Sequence, residues 1–168
     1  VTGLGPTKRV VLFDTLCASG RYHRDEVRLV VAHELAHVRH RDVARGVLYA
    51  VLVAPAAAFA VQRLSWALSP ERGTPAALPA LALATALVTA PLGLSSNRLS
   101  RAIERRADTF ALHLAGSPDA FVSFERAIAL QNVADLDPPR WVTSLLATHP
   151  STGERIGAAL AYAKQGER

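Results

Sequence analysis

His33 and His37 stand four residues apart in "VVAHELAHVRHRD", Val30 to Asp42, with Glu34 beside the first. On a helix of 3.6 residues per turn the two imidazoles lie only about 40° apart around the axis, one turn up. Both can therefore reach a single metal ion, and Glu34 flanks the same face. In the H-E-x-x-H pattern the histidines bind zinc and the glutamate serves as general base for hydrolysis. The competing reading is a polar helix that happens to be rich in histidine. A catalytic zinc also needs a third protein ligand and an open position for water. His40 is the nearest candidate, but it lies about 10.5 Å along the axis from His33 at 1.5 Å per residue. One ion cannot easily take His33, His37 and His40 together, so His40 reads as a polar residue near a membrane boundary.

Glu104, in "SRAIERRAD" (Ser100 to Asp108), is the better third ligand. Asp108 follows it by four residues and shares its helical face. Glu104 is placed to bind the metal while Asp108 accepts the far N–H of a ligand histidine, an arrangement that fixes the tautomer. The alternative is an exposed carboxylate paired with Arg101 or Arg105. Further on, His149 in "THP" precedes a helix start, and Arg155 lies six residues beyond it. His149 reads either as a donor to a tetrahedral oxyanion or as a turn residue before Pro150. Arg155 reads as a substrate anchor or as a brace for Glu104 or Asp108. His23 and His113 suggest no partners, and Asp42 reads as structural, ending the histidine helix.

The elements that must position these residues are mostly helical. "RVVLF", Arg9 to Phe13, predicts a short strand, and "TGLG" before it reads as the end of another. From Asp25 to about Arg45 the pattern is helical, with Val27, Val31, Leu35 and Val38 forming an apolar stripe. Gly46 to Gln62 carries no charge, and the apolar run continues to Leu68 with only Arg63 interrupting. "SPERGTP" (Ser69 to Pro75) is a turn, and Gly73 to Asn97 is again uncharged for 25 residues. A bilayer core of ~30 Å needs about 20 helical residues, so residues 46–68 and 74–96 are candidate transmembrane helices. Buried core helices are the alternative, given the alanine content and Pro55, Pro79 and Pro91. Asn97 to Leu114, about 117 to 134, and Thr152 to about Lys164 predict further helices. Gly116 acts as stop, Ser117 as N-cap and Ser151 with Glu154 as a capping box. "DLDPPR" reads as a loop.

Charge favours the membrane hairpin. The 168-residue chain is half hydrophobic yet has a formal net charge of +5 and a pI near 10.1. Arg39, Arg41 and Arg45 precede the first span, and Arg98, Arg101, Arg105 and Arg106 follow the second. The connecting turn has only Arg72, offset by Glu71. Both outer ends, and the candidate catalytic residues with them, are thus expected on the cytoplasmic side, with Trp66 at the far interface. Cations that flank apolar spans argue for a lipid bilayer as partner and against nucleic acid, whose binders interleave cations with exposed aromatics. Cys17 stands alone, so no internal disulfide forms, and a small buried hydrophobe is the expected role. The chain begins at Val1 and contains no methionine, which reads as a piece of a longer protein.

"LGPTKRVVLFDTL", "VVAHELAHVRHRD", "NRLSRAIERRAD" and "THPSTGERI", in this order around an apolar hairpin, resemble the CAAX prenyl protease type 1 family of membrane zinc metallopeptidases. The related HtpX-type heat-shock proteases share the plan. The resemblance runs from Gly3 to Ile156, and "VLFDTL" looks more like the prenyl protease branch. It implies a mainly α, zincin-like metallopeptidase domain over residues 1–168, with a short N-terminal β element and an inserted transmembrane hairpin. It also implies one Zn²⁺ per chain on His33, His37 and Glu104, with Glu34 as general base, Asp108 behind a ligand and His149 beside the site. The expected activity is hydrolysis of peptide or protein substrates, in CAAX prenyl protease-like or HtpX-like fashion. Two readings of other classes remain: a non-catalytic metal-binding membrane protein, and a soluble basic helical binder.

Overall fold

In the computed structural model, residues 1–12, 14–17, 20, 22–69, 71 and 73–166 are described. The expected strand end at Phe13, the burial of the Cys17 side chain, and Pro70 and Arg72 of the turn lie outside them. The chain forms α1 (Asp14–Cys17), α2 (Arg24–His40), α3 (Asp42–Leu68), α4 (Leu78–Ala115), α5 (Pro118–Gln131), α6 (Arg140–Leu145) and α7 (Thr152–Gly166). Single 3₁₀ turns at Gly5–Thr7 and Pro75–Ala77 complete it. The mainly helical expectation holds.

The predicted strand does not form among the described residues. The N-terminal segment doubles back through one antiparallel bridge, Thr2 to Arg9, with two 2.9 Å backbone hydrogen bonds. Among the described residues no third segment extends that pairing, and a two-stranded ribbon alone is marginal.

The helix expected from Asp25 to Arg45 is in fact two helices. Arg41 adopts a left-handed conformation (φ 56°, ψ 40°), and its N–H closes the end of α2 on the His37 and Val38 carbonyls. For a residue with a Cβ this conformation costs about 1–2 kcal/mol. The break turns Asp42 back toward α2, where it makes the contacts described below. The buried face of α2 also differs from the expected stripe. Leu29, Ala32 and Ala36 are buried, whereas Leu35 is 41% exposed. The valine stripe occupies the opposite side. The alanines explain the choice: Ala32 and Ala36 meet a helix bearing buried Ala107 and Ala111, and small side chains let two backbones approach closely.

α3 and α4 form a hairpin. Both are long and apolar enough to cross a membrane, and their apolar stretches are almost wholly unburied, unlike core helices of a soluble domain. Pro55 and Pro91 lie inside the helices without ending them. α4 does not stop at the expected boundary near Asn97. It continues as one 38-residue helix until Gly116 (φ 63°) caps it, so the span and the Glu104 segment are one rigid rod. Leu29, Ala32, Ala111, Leu112, Phe121 and Ala159 make the core beyond the hairpin, where α2, the end of α4, α5 and α7 meet. α5 ends at Gln131, shorter than expected, and α6 lies within what the sequence suggested was loop. The Ser117 side chain makes no cap hydrogen bond, whereas Ser151 Oγ accepts from the Glu154 N–H at 3.2 Å.

Candidate active site

Close packing of α2 on α4 brings His33, His37 and Glu104 together, with one potential ligand atom from each within 4.8 Å of the others. The two Nε2 atoms are 3.2 Å apart. Glu104 offers Oε2 at 3.4 Å from His33 Nε2 and Oε1 at 3.8 Å from His37 Nε2. Ligand atoms at about 2.0–2.1 Å from a tetrahedral zinc stand roughly 3.3 Å from one another, so the spacing suits such an ion.

The opposite ring nitrogens are both held by carboxylates. His33 Nδ1 lies 2.9 Å from Asp108 Oδ1, and His37 Nδ1 lies 3.0 Å from Asp42 Oδ2. Nδ1–H donated to an anion leaves Nε2 as a bare acceptor. Two acceptor nitrogens and a carboxylate then face one another with no hydrogen-bond donor between them, across 3.2 to 3.8 Å. That donor set is repulsive unless a cation or shared proton sits between them, and it fits zinc. Burial works against a charged His33, but Asp108 and Glu104 overcome it and raise its pKa to about 9.

The Asp108 end is braced. Arg155 donates from Nε and Nη2 to its two oxygens at 2.8 and 2.6 Å, and from Nη1 to Glu125 at 2.6 Å. Burial disfavours the Arg155 cation, yet Asp108 and Glu125 hold its pKa above the ordinary value. Burial pushes the Glu125 carboxyl up, partly offset by Arg155. At the other end Arg106 Nη2 pairs with Asp42. Each histidine is therefore backed by a carboxylate, and each carboxylate by an arginine.

Glu34 is partly exposed and lies beside the cluster. A cleft of about 250 Å³ opens there, lined by His33, Glu34, Glu104, Phe121, Phe124 and His149 among others. His149 Nδ1 is 3.3 Å from Glu104 Oε2, with 67% of its side chain exposed. His40 points away: its Nδ1 bonds the Ala36 carbonyl at 2.8 Å, and its ring stands edge-on to Phe110.

His33, Glu34, His37, Glu104, Asp108, His149 and Arg155 gather here, His40 does not, and Arg155 takes the bracing alternative. Asp42 was read only as a structural residue at the helix end, so its hold on His37 was missed, as was Glu125. Five residues beyond His37, Asp42 would sit about 140° off the histidine face of a continuous helix, and only the Arg41 break brings it back. Glu125 carried no sequence signal beyond being a carboxylate on an otherwise apolar helix face. His113, without an expected partner, packs edge-on against Tyr162 at 4.9 Å.

A metal-type cluster thus lies between the histidine helix and the extension of a long apolar hairpin, within a mainly helical fold. The chain belongs to peptidase family M48, whose sequence model matches residues 1–163. It is 30% identical over 165 residues to the uncharacterized metalloprotease YhfN of Bacillus subtilis, covering 93% of this chain and 38% of that protein. It is 31% identical over 160 residues to a protease HtpX homolog of Burkholderia thailandensis, covering 84% of this chain and 56% of that protein. The fold matches the crystal structure of S. mikatae Ste24p with a TM-score of 0.69 at 23% identity, over 92% of this chain and 40% of that one. The chain thus spans from about two fifths to somewhat over half of these proteins.

Proposed function

We propose that the chain is the catalytic region of a zinc-dependent membrane endopeptidase. The observation that carries the reading is the convergence of His33 Nε2, His37 Nε2 and the Glu104 carboxylate, with Asp108 and Asp42 turning the imidazole protons outward. These three residues would hold one Zn²⁺. Bound there, zinc supplies a Lewis acid that lowers the pKa of water toward ~7 and polarises a carbonyl.

The protein groups do the rest. Glu34 takes the proton of the attacking water and returns it to the leaving amine, the ordinary exchange of a general base turned acid. His149, at the mouth of the cleft, donates to the oxyanion of the tetrahedral intermediate. Asp108 and Asp42 keep both ligand rings in one tautomer and orientation, and Arg155 and Arg106 hold those carboxylates in turn. Residues 1–168 act as a single metallopeptidase unit, with α3 and the first part of α4 spanning the bilayer. Arginines cluster at both outer ends of the hairpin, and this charge asymmetry supports a site on the cytoplasmic side.

For substrate class, a CAAX prenyl protease-like activity rests on the sequence resemblance. An HtpX-like quality-control protease is the second reading, favoured by the 31%-identical relatives of that name. Metal analysis of the purified full-length protein, beside a peptidase assay reversed by chelator and restored by zinc, tests the activity. Stoichiometric metal without hydrolysis would leave a non-catalytic metal protein. Hydrolysis indifferent to chelator would remove zinc from the account.

A further inference from the structure

α6 is a six-residue helix with a strongly apolar exposed surface. Trp141 is 62% exposed, Leu145 41% and Leu146 65%. Trp141 and Leu145 are four residues apart and so share a face. In water such a short helix would neither form nor keep this surface open without a reason.

Its position supplies one. The last carbonyls of α6 and the residues after it are tied to α4: Asn97 Nδ2 donates to the Leu145 carbonyl at 2.8 Å, and Arg101 donates to Ser144 at 3.0 Å and to Ala147. Asn97 is the last residue of the uncharged run and Arg98 the first charge after it. α6 is therefore pinned at the level where α4 changes from apolar to charged. The same bonds satisfy carbonyls that a helix C-terminus otherwise leaves open, and open carbonyls are what a lipid-facing segment cannot tolerate. Trp is the residue favoured at the headgroup level, and Arg98, next to Asn97, and Arg140, next to Trp141, are both exposed, as cations that meet anionic headgroups must be.

We propose that α6 is an interfacial membrane element, with Trp141, Leu145 and Leu146 seated in the bilayer surface at the cytoplasmic end of α4. The inference rests on the hairpin spanning the membrane. It also fixes the depth of the site: Glu104 follows Asn97 by seven residues, about 10 Å along the helix. His149, two residues past Ala147, hangs from the same anchored segment. A substrate is thus cut close to the lipid surface.

The test uses the full-length protein in phosphatidylcholine–phosphatidylglycerol vesicles, in two forms that keep Trp141 or Trp66 as sole tryptophan, others being replaced by Phe. Metal content confirms that each form is folded. Lipids brominated near the headgroup should quench most of the Trp141 emission, with lipids brominated at the chain ends acting more weakly and aqueous iodide having little effect. Quenching of Trp66 by brominated lipid reports the hairpin independently. Quenched Trp66 with Trp141 open to iodide would overturn the interfacial role and leave the hairpin standing. Trp141 shielded from both quenchers would overturn it too, showing that protein covers α6. Neither tryptophan quenched by lipid would defeat the hairpin itself, and this inference with it.

Discussion

His33 and Asp108, 75 residues apart, are joined by a 2.9 Å hydrogen bond from the imidazole Nδ1 to a carboxylate oxygen that Arg155 also holds. The bond links the histidine helix to the rod that descends from the hairpin. It aims Nε2 at Glu104 and so ties the fold to the chemistry.

Removing a ligand should differ from removing its support. His33→Ala, His37→Ala and Glu104→Ala should each abolish stoichiometric zinc. Asp108→Ala and Asp42→Ala should weaken zinc by roughly 10–100-fold, the usual cost of losing an outer partner. Competition with a metallochromic chelator measures this. Parental affinity in Glu104→Ala together with loss in His40→Ala would exclude Glu104 as the third ligand.

The metal-free protein should become less stable as pH rises through the alkaline side of neutrality. His33 has a pKa of about 9 in the folded state against an ordinary 6.5. A raised histidine pKa contributes stability that is complete below 6.5 and lost as pH climbs through about 9. Zinc takes the place of that proton, so the dependence should vanish in the loaded protein. Thermal unfolding of chelated and zinc-loaded samples across this window gives the answer; identical slopes would contradict the cluster geometry.

Much of this site is legible in the sequence because its chemistry is local. His33, Glu34 and His37 need only helical periodicity, and Glu104 with Asp108 needs only the return of an apolar hairpin. The unreadable parts depend on tertiary events. The Arg41 reversal that recruits Asp42 has no local cue, because a left-handed arginine is disfavoured in isolation. The valine stripe of α2 misled, since close approach of α4 selects alanines over larger side chains. α6 hides behind "DPPR" and is too short for any period to show. The N-terminal strand failed for want of a sheet to join.

Hairpin topology can be read chemically. A cysteine replacing Thr74, with Cys17 changed to Ser, should react with an impermeant maleimide from outside intact cells. Reaction only after the membrane is opened would invert the topology. Release of the protein by carbonate would end the membrane assignment.

His149→Ala should retain zinc and lose turnover. A donor to an oxyanion acts only as charge develops, and its loss typically costs ~10²–10³ in kcat. The 3.3 Å approach of His149 to Glu104 leaves a rival role in positioning the ligand. Zinc and kcat measured on one sample separate the two: zinc falling in step with activity would make His149 a support for Glu104, and unchanged kcat would make it a turn residue.

The most direct test of the central claim is Glu34→Gln, assayed for zinc stoichiometry and peptide hydrolysis on the same preparation as the parent. Glu34 lies beside the three converging side chains proposed as ligands without being one of them. The expected result is one zinc per chain in both proteins, with chelator-sensitive hydrolysis in the parent and turnover reduced to background in the variant. Parental hydrolysis by Glu34→Gln would contradict the assigned base, and with it the mechanism built on this site.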